Sequence, residues 1–372
     1  MNWVTHRQLV GTGVLLAIGL MAWLDFQWLG TYHYRVDSPD FLVYYLAARV
    51  GASHGWAAIY DPSLFLPLER AIVGRPLPYL NPPELAWIVL PLSWLPYAVS
   101  AWIWRGILLA AGAVTCWLVA PRRGKLLHGL SAIVLLPIFA SVAFGQVSLV
   151  IVAVVAVAWA LLERDRPWLA GAVLSLLILK PQLAFLVPVS LLLAGYGRVF
   201  VAWLSATAVL AGSALLTIGP GAFDDIARSL RLVSGLPRPV QLSALHLLPT
   251  PLAWSAMAVA LIVGTAVVLR AGPRQPSMAI AVGLLTSALV SPYINFYDVS
   301  SAVLAGWLLL GLGARHWFRA LLIGGYLALY LAPVLPLLAD SALALCLVLL
   351  LARWRSEAPA AQVDLQPGAL AA

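Results

Sequence analysis

The sequence predicts an all-α protein that crosses a membrane many times. Of its 372 residues, 63% are hydrophobic and only 10% are charged, whereas soluble domains carry about 25% charged residues. The mean hydropathy is +0.95. The apolar runs approach the roughly 20 residues that a helix needs to span the hydrocarbon core. Because the alternating pattern of membrane strands is absent, we expect polytopic transmembrane helices.

Polar breaks divide the chain into about twelve predicted spans. The first apolar run ends without a small-residue cleavage site, so we interpret it as a retained helix and not a signal peptide. Two of the spans, 167–179 and 183–196, are short for a full crossing and meet at Lys180. Such broken helices are tolerated where they line a wet or protein-enclosed cavity. The predicted spans are 9–29, 97–119, 126–144, 147–162, 167–179, 183–196, 199–218, 251–269, 277–291, 299–314, 319–335 and 340–352.

The distribution of Lys and Arg predicts the orientation of these spans. With both termini cytoplasmic, the basic loop residues collect on the cytoplasmic side, as the positive-inside rule requires. Two long outer loops, 30–96 and 219–250, then face the other side. We interpret residues 84–96 as a short helix at the outer interface, because counting them as a span would invert everything that follows. Residues 1–356 form one membrane domain, and 357–372 a disordered cytoplasmic tail.

Composition and motifs exclude several classes of function. The net charge of +8 comes from basic residues scattered in inter-helix loops, which is typical of membrane topology and not of a nucleic-acid groove. The histidines lack metal-ligand spacing, so no metal site is expected. No P-loop, dinucleotide-binding glycine pattern or nucleophile elbow is present. These absences argue against an ATP-driven pump and a serine hydrolase.

Polar residues collect on the predicted outer face, where they are costly unless they face water or one another. Asp40 follows a proline and is expected in the first turn of a helix, with simple capping as its alternative role. Tyr44 lies four residues later on the same helical face. The Lys180 ammonium suits a phosphate, with snorkelling to the headgroups as the alternative. The other candidates at this depth are Asn81, Gln146, Gln182, Asn295, Tyr297 and Asp298.

Five segments occur in the order typical of one enzyme family. They are 40-DFLVYYLAARVGASHGWAAIYDP-62, 82-PPELAWIVLPLSWLPYA-98, 145-GQVSLVIVAVV-155, 170-AGAVLSLLILKPQLAFLVPV-189 and 291-SPYINFYDV-299. Together they resemble the bacterial integral-membrane glycosyltransferases of family 87, related to polyprenol-phosphate-mannose-dependent mannosyltransferases. Two departures are Asn81-Pro82-Pro83, where Tyr-Pro-Pro is frequent, and Tyr297-Asp298, where a histidine-containing motif is known. The second departure puts a histidine role, and the identity of the sugar, in doubt.

The resemblance implies the GT-C fold and a location in the bacterial inner membrane. It also implies a polyprenyl-phosphate sugar as donor, an acceptor on the periplasmic side, and Asp40 as general base. The sugar would be mannose or another hexose or pentose. A carboxylate removes the proton of an acceptor hydroxyl, while Lys180 and neighbouring amides stabilise the departing phosphate. We therefore expect one inverting displacement without a cofactor or a divalent metal.

Two other classes of function fit a many-helix protein with an outward polar cavity. One is a transporter or flippase of lipid-linked sugars, and the other is a non-catalytic subunit of envelope assembly. Transporters often contain internal repeats, and the two halves of this sequence show none. The long first outer loop also favours an enzyme, since it can hold an acceptor against a membrane-embedded donor.

Overall fold

The computed structural model of the protein describes most of the chain. All regular structure in this part is helical, which confirms the predicted all-α class. The predicted tail 357–372, and most of the predicted span 319–335, lie outside the described residues. The described residues are 3–30, 38–65, 67, 78–120, 125, 129, 132–234, 242–312, 320–321, 324–325, 328–329 and 337–353.

The described helices are α-helices and 3₁₀ helices. Three short 3₁₀ helices, Trp56–Tyr60, Ser175–Leu179 and Pro181–Leu183, lie among the α-helices. The α-helices are α1 Trp3–Gly30, α2 Pro39–His54, α3 Pro83–Ser93, α4 Tyr97–Val119, α5 Leu136–Phe144, α6 Ser148–Leu162, α7 Pro167–Leu174, α8 Val187–Leu193, α9 Gly197–Ile218, α10 Ala222–Ser234, α11 Ala244–Leu247, α12 Thr250–Ala271, α13 Pro276–Val290, α14 Ser300–Gly311 and α15 Leu337–Arg353.

Three helices in the described residues are long and apolar enough to cross a membrane by themselves. They are α4, α9 and α12, and they coincide with the predicted spans 97–119, 199–218 and 251–269. Their surfaces are largely apolar and exposed, with Leu216 of α9 reaching 89% exposure. Such surfaces are costly in water and natural against lipid chains. The chain is therefore a membrane protein, and the count of twelve spans stays a prediction.

The helices between these long spans are shorter and more buried. Seven apolar helical segments have 10–17 residues, including α6 and α13, whose side chains are mostly buried. Helix α13 packs against α8, α12 and α14, and α6 packs against α4 and α7. Short apolar helices, α6 and α13 among them, therefore contribute much of the buried core.

The predicted helix break at Lys180 is confirmed. Helix α7 ends at Leu174, the backbone continues as a 3₁₀ helix to Leu179, and Lys180 has an extended φ of −156° before the next 3₁₀ turn. The following proline has no N–H and cannot continue a helical ladder. The predicted apolar segment 167–179 is helical throughout, and its last five residues, 175–179, tighten from an α-helix into a 3₁₀ helix before the break.

The predicted first outer loop contains the helices α2 and α3, which pack against each other. Helix α3 begins at Pro83, close to the predicted start at residue 84. It packs along α2, and this pair of helices lies next to the start of α4, where the Tyr97 hydroxyl donates to the Ser38 carbonyl at 3.0 Å. The loop that the sequence predicts as 30–96 is therefore a packed part of the protein in its described residues.

Candidate active site

Asp40 lies in the first turn of α2, as the sequence predicts. Pro39 occupies the first helical position, which suits its fixed φ and missing N–H. The rest of the helix is almost entirely buried, with Phe41 stacked on Trp104 at 5.4 Å between ring centroids. Asp40 itself is only half-buried. A buried helix therefore presents one half-buried carboxylate in its first turn.

Gly145 allows the chain to turn directly beside this carboxylate. Its φ is +73°, and a Cβ built on it would lie 2.6 Å from the Phe41 Cβ. Only glycine adopts this backbone conformation without strain. The Trp104 indole also donates to the Gly145 carbonyl at 2.8 Å. The close approach of α2 and the 145 turn brings Gln146 next to Asp40.

Three hydrogen bonds fix the orientation of the Gln146 amide. Its Oε1 accepts from the Tyr44 hydroxyl at 2.6 Å and from the Val147 backbone N–H at 3.1 Å. With the oxygen engaged on one side, the Nε2 donor turns to Asp40 Oδ2 at 3.0 Å. A donor aimed at a carboxylate favours its ionised form. The sequence predicted all three side chains as site residues, and the structure brings them together.

Two buried tyrosines at the site stay protonated. Burial raises the pKa of Tyr44 well above its usual range, and the neighbouring Asp40 charge raises the pKa further. Burial and the Asp40 charge raise the pKa of Tyr297 in the same way. Both hydroxyls are therefore neutral donors at physiological pH.

Lys180 and Asp298 form a buried ion pair. The Lys180 ammonium donates to Asp298 Oδ1 at 2.6 Å, and their side chains are only 4% and 0% exposed. Ser148 Oγ lies between them, accepting from Lys180 at 3.1 Å and donating to Asp298 Oδ1 at 2.8 Å. The Lys180 ammonium also lies 5.0 Å from the centre of the Tyr297 ring. The snorkelling alternative is wrong, since the ammonium is turned into the protein.

One short stretch of chain joins the two groups of contacts. Gln146 binds Asp40, and Ser148, two residues later at the start of α6, binds Lys180 and Asp298. Tyr297 is close to the charges of both Asp40 and Lys180. A half-buried carboxylate and a buried ammonium are thus linked through residues 146–148, although they are far apart in the sequence.

Asn295 donates hydrogen bonds to three residues around the ion pair. Its backbone N–H donates to Asp298 Oδ2 at 3.0 Å, and its side-chain amide donates to the hydroxyls of Tyr293 and Tyr297 at 2.9 and 2.6 Å. These bonds hold the Asp298 carboxylate, which pairs with Lys180, and the Tyr297 hydroxyl in place. The structure thus brings together Asn295, Tyr297 and Asp298, all predicted from the sequence, and their roles in binding the donor stay predictions.

Two predicted site residues show no side-chain contact with this group. Gln182 is half-buried in the 3₁₀ turn after Lys180. Asn81 is half-buried before α3, and its backbone carbonyl accepts from the Tyr60 hydroxyl at 2.8 Å. Among the residues that the structure describes, neither side chain takes part in the hydrogen bonds around Asp40 and Lys180. Their roles as binding residues stay predictions.

Two members of the site are not predicted from the sequence. Ser148 bridges the ion pair, and Tyr293 accepts from Asn295. Both lie within three residues of a predicted candidate, so the proximity of hydroxyl residues to Gln146 and Asn295 was an available signal. No set of three or more His, Cys, Asp or Glu side chains in the described residues is arranged to hold a metal ion. The expectation of metal-independent transfer stays a prediction.

Comparison with known proteins supports the resemblance in the sequence. Residues 79–292, more than half of the chain, match the family model described as glycosyltransferase family 87. The match includes Gln146, Ser148 and Lys180, while Asp40 and Asp298 lie outside it. Comparisons with curated proteins and with solved structures find no match. With its membrane helices and its family match, the chain is a membrane glycosyltransferase and belongs to glycosyltransferase family 87.

Proposed function

We propose that this protein transfers a sugar from a polyprenyl-phosphate donor to a hydroxyl group of an acceptor on the periplasmic side of the bacterial inner membrane. The reaction is one displacement that inverts the anomeric carbon. The observation that carries the proposal is the link between the Asp40 carboxylate and the Lys180 ammonium through residues 146–148. Such a displacement needs a general base beside the acceptor hydroxyl and a cation beside the leaving phosphate.

Asp40 acts as the general base. The acceptor hydroxyl attacks the anomeric carbon while its proton moves to the Asp40 carboxylate, and the bond from that carbon to the phosphate oxygen breaks. Half-burial lets the acceptor reach the carboxylate, and the Gln146 donor supports its ionised form. Tyr44 and Tyr297 stay neutral beside it, so neither competes with Asp40 for the proton.

Lys180 contacts the phosphate of the donor. Its ammonium has three N–H donors, and its hydrogen bonds to Asp298 and Ser148 occupy two of them. The third is available to a phosphate oxygen. Asp298 balances the lysine charge before the donor binds, and it holds the ammonium in place. The leaving group is already a stable anion, so hydrogen-bond donation and not protonation is what it requires.

The donor sugar and the membrane orientation are further parts of this proposal. Mannose, or another hexose or pentose, is the sugar that the family resemblance favours. The acceptor is a glycolipid or glycan outside the cytoplasm. No cofactor takes part, and the bilayer itself supplies the donor to the site between the helices.

The decisive test replaces Asp40 by Asn in purified protein reconstituted in lipid nanodiscs. Transfer from radiolabelled polyprenyl-phosphate mannose is measured with membrane glycolipid extract as acceptor. Loss of a general base is expected to lower kcat by about 10²–10⁴-fold with little change in the donor KM. Glu163→Gln, at an exposed position on the predicted cytoplasmic side, is the matched control. Retention of wild-type kcat by the Asp40 variant would remove the carboxylate from this role.

A further inference from the structure

We propose that Glu84 and Trp87, on one face of α3, form a second binding site that holds hydroxyl groups of a sugar. This inference rests on the proposed function, because it assigns the site to the sugar part of the acceptor. Neither residue takes part in the hydrogen bonds around Asp40 and Lys180. The site would position the acceptor glycan, while the chemistry occurs at Asp40.

The unusual feature is a buried carboxylate without partners. Glu84 is 4% exposed, and neither of its carboxylate oxygens has a hydrogen-bond partner in the described residues or reaches solvent. Buried polar groups almost always have partners, because an unsatisfied polar group lowers stability and an unsatisfied charged group lowers it more. A protein that keeps such a group loses stability unless a ligand supplies the missing contact.

A second unsatisfied group lies one helical turn away. The Trp87 indole N–H is also buried without a partner in the described part of the chain. Residues three apart on a helix are neighbours on its surface, with about 5–6 Å between their Cβ atoms. The same face of α3 therefore offers two acceptor oxygens and one donor within the reach of a single small ligand.

Aromatic side chains surround these two residues. The Trp87 ring meets Trp56 edge to face at 6.1 Å. Burial raises the pKa of Tyr60 and the Glu84 carboxylate raises it further, and the Tyr60 ring lies 5.7 Å from the ring of Tyr79. The hydroxyls of these tyrosines donate to backbone carbonyls at 2.8 and 2.6 Å, and neither donates to Glu84. The carboxylate therefore lies near aromatic residues whose hydroxyls do not donate to it.

The combination of groups selects a neutral polyhydroxyl ligand. A cation would be attracted to Glu84 but would meet the positive end of the Trp87 N–H. An anion would be repelled by the carboxylate. A sugar offers adjacent hydroxyls that donate to the carboxylate and accept from the indole, and its apolar ring face suits aromatic walls. Because both carboxylate oxygens are covered, a sugar reaches them only after a covering side chain moves.

The position of the pair suits an acceptor that extends to Asp40. Helix α3 packs along α2, the helix that carries Asp40 and Tyr44. Tyr44 binds Gln146, the partner of Asp40. A glycan held at Glu84 would therefore lie on the helix that packs against the one carrying the proposed base, and it would not occupy that base.

The test measures sugar binding without any transfer reaction. The full-length protein in lipid nanodiscs is titrated with methyl α-D-mannopyranoside, methyl β-D-glucopyranoside and methyl β-D-galactopyranoside, and binding is followed by saturation-transfer-difference NMR. At least one glycoside is expected to bind saturably. Glu84→Gln, which keeps the side-chain volume, should weaken its binding by about tenfold, and Trp87→Phe by about threefold or more, as when a hydrogen-bonding group is lost from a site. Glu163→Gln should leave binding unchanged.

The outcomes separate this inference from the proposed function. Saturable binding that weakens in both variants and persists in Asp40→Asn supports the second site, even if no transfer is detected. Binding that is the same in Glu84→Gln, Trp87→Phe and wild type overturns it, and so does the absence of binding of all three glycosides. In those last cases, transfer that depends on Asp40 would still support the proposed function. If either Glu84→Gln or Trp87→Phe fails to fold, glycoside binding by the variant that folds decides between these outcomes.

Discussion

At the scale of single residues, the ion pair of Lys180 and Asp298 has the largest energetic consequence. Both side chains are buried and hydrogen-bonded. Removing one partner leaves an uncompensated charge in a low-dielectric interior, which costs about 3–5 kcal/mol. Replacing both removes the charges together. Replacing one partner therefore lowers the free energy of unfolding more than replacing both partners together. Only the charged pair, however, offers an ammonium to a phosphate.

This difference gives a double-mutant prediction. Lys180→Met and Asp298→Asn are each expected to lower the free energy of unfolding by about 3–5 kcal/mol, and the double variant by clearly less than their sum. Thermal unfolding in nanodiscs measures these differences. Additive losses would show that the two residues do not interact energetically. Lys180→Met should also raise the KM of the donor more than that of the acceptor.

Glu84 predicts a dependence of stability on pH. Burial raises the pKa of Glu84 above its usual 4.5, so the folded chain keeps the proton in a range where the unfolded chain has lost it. Stability conferred by the raised pKa is complete below 4.5 and is lost as pH rises through the folded pKa. Glu84→Gln removes this titration. The variant is expected to gain thermal stability relative to wild type as pH rises, and parallel unfolding curves from acid to neutral pH would contradict this.

At the scale of helices and turns, Gly145 decides how closely α2 approaches the turn between α5 and α6. A side chain at this position meets Phe41 and requires a positive φ. Gly145→Ala is therefore expected to lower stability by about 2 kcal/mol or more, from the left-handed conformation and from overpacking. Gly197→Ala, which has open space around its Cα, is the control for a glycine in a helix. Unfolding temperatures of the two variants provide the comparison, and equal values would exclude the steric explanation.

Sequence patterns predicted helices well and contacts less well, for a physical reason. Hydropathy and proline position are local properties, so they identified α4, α9 and α12, the start of α2 at Pro39 and the break at Lys180. The contact between Lys180 and Asp298 spans 118 residues of sequence, and nothing in either segment alone requires it. The roles of Ser148, Glu84 and Trp87 depend in the same way on which helices become neighbours.

At the scale of the whole molecule, the orientation in the membrane is the main prediction. If the first outer loop faces the periplasm, Ser63→Cys in intact cells of a bacterium with a permeable outer membrane should react with an impermeant maleimide, whereas Glu163→Cys should react only after lysis. Both positions are exposed, and the native cysteines are buried. The labelled fraction is measured by gel shift. The reverse pattern would place the proposed site in the cytoplasm.

The turn formed by residues 146–148 makes the protein sensitive to changes in chain length at that point. One added residue at the start of α6 would rotate the following side chain by about 100° around the helix axis. Gln146 could then no longer bind Asp40 while Ser148 binds Lys180. Many surface loops tolerate insertions and deletions. Here a change of chain length is expected to break at least one of these contacts, whichever residue is added or removed.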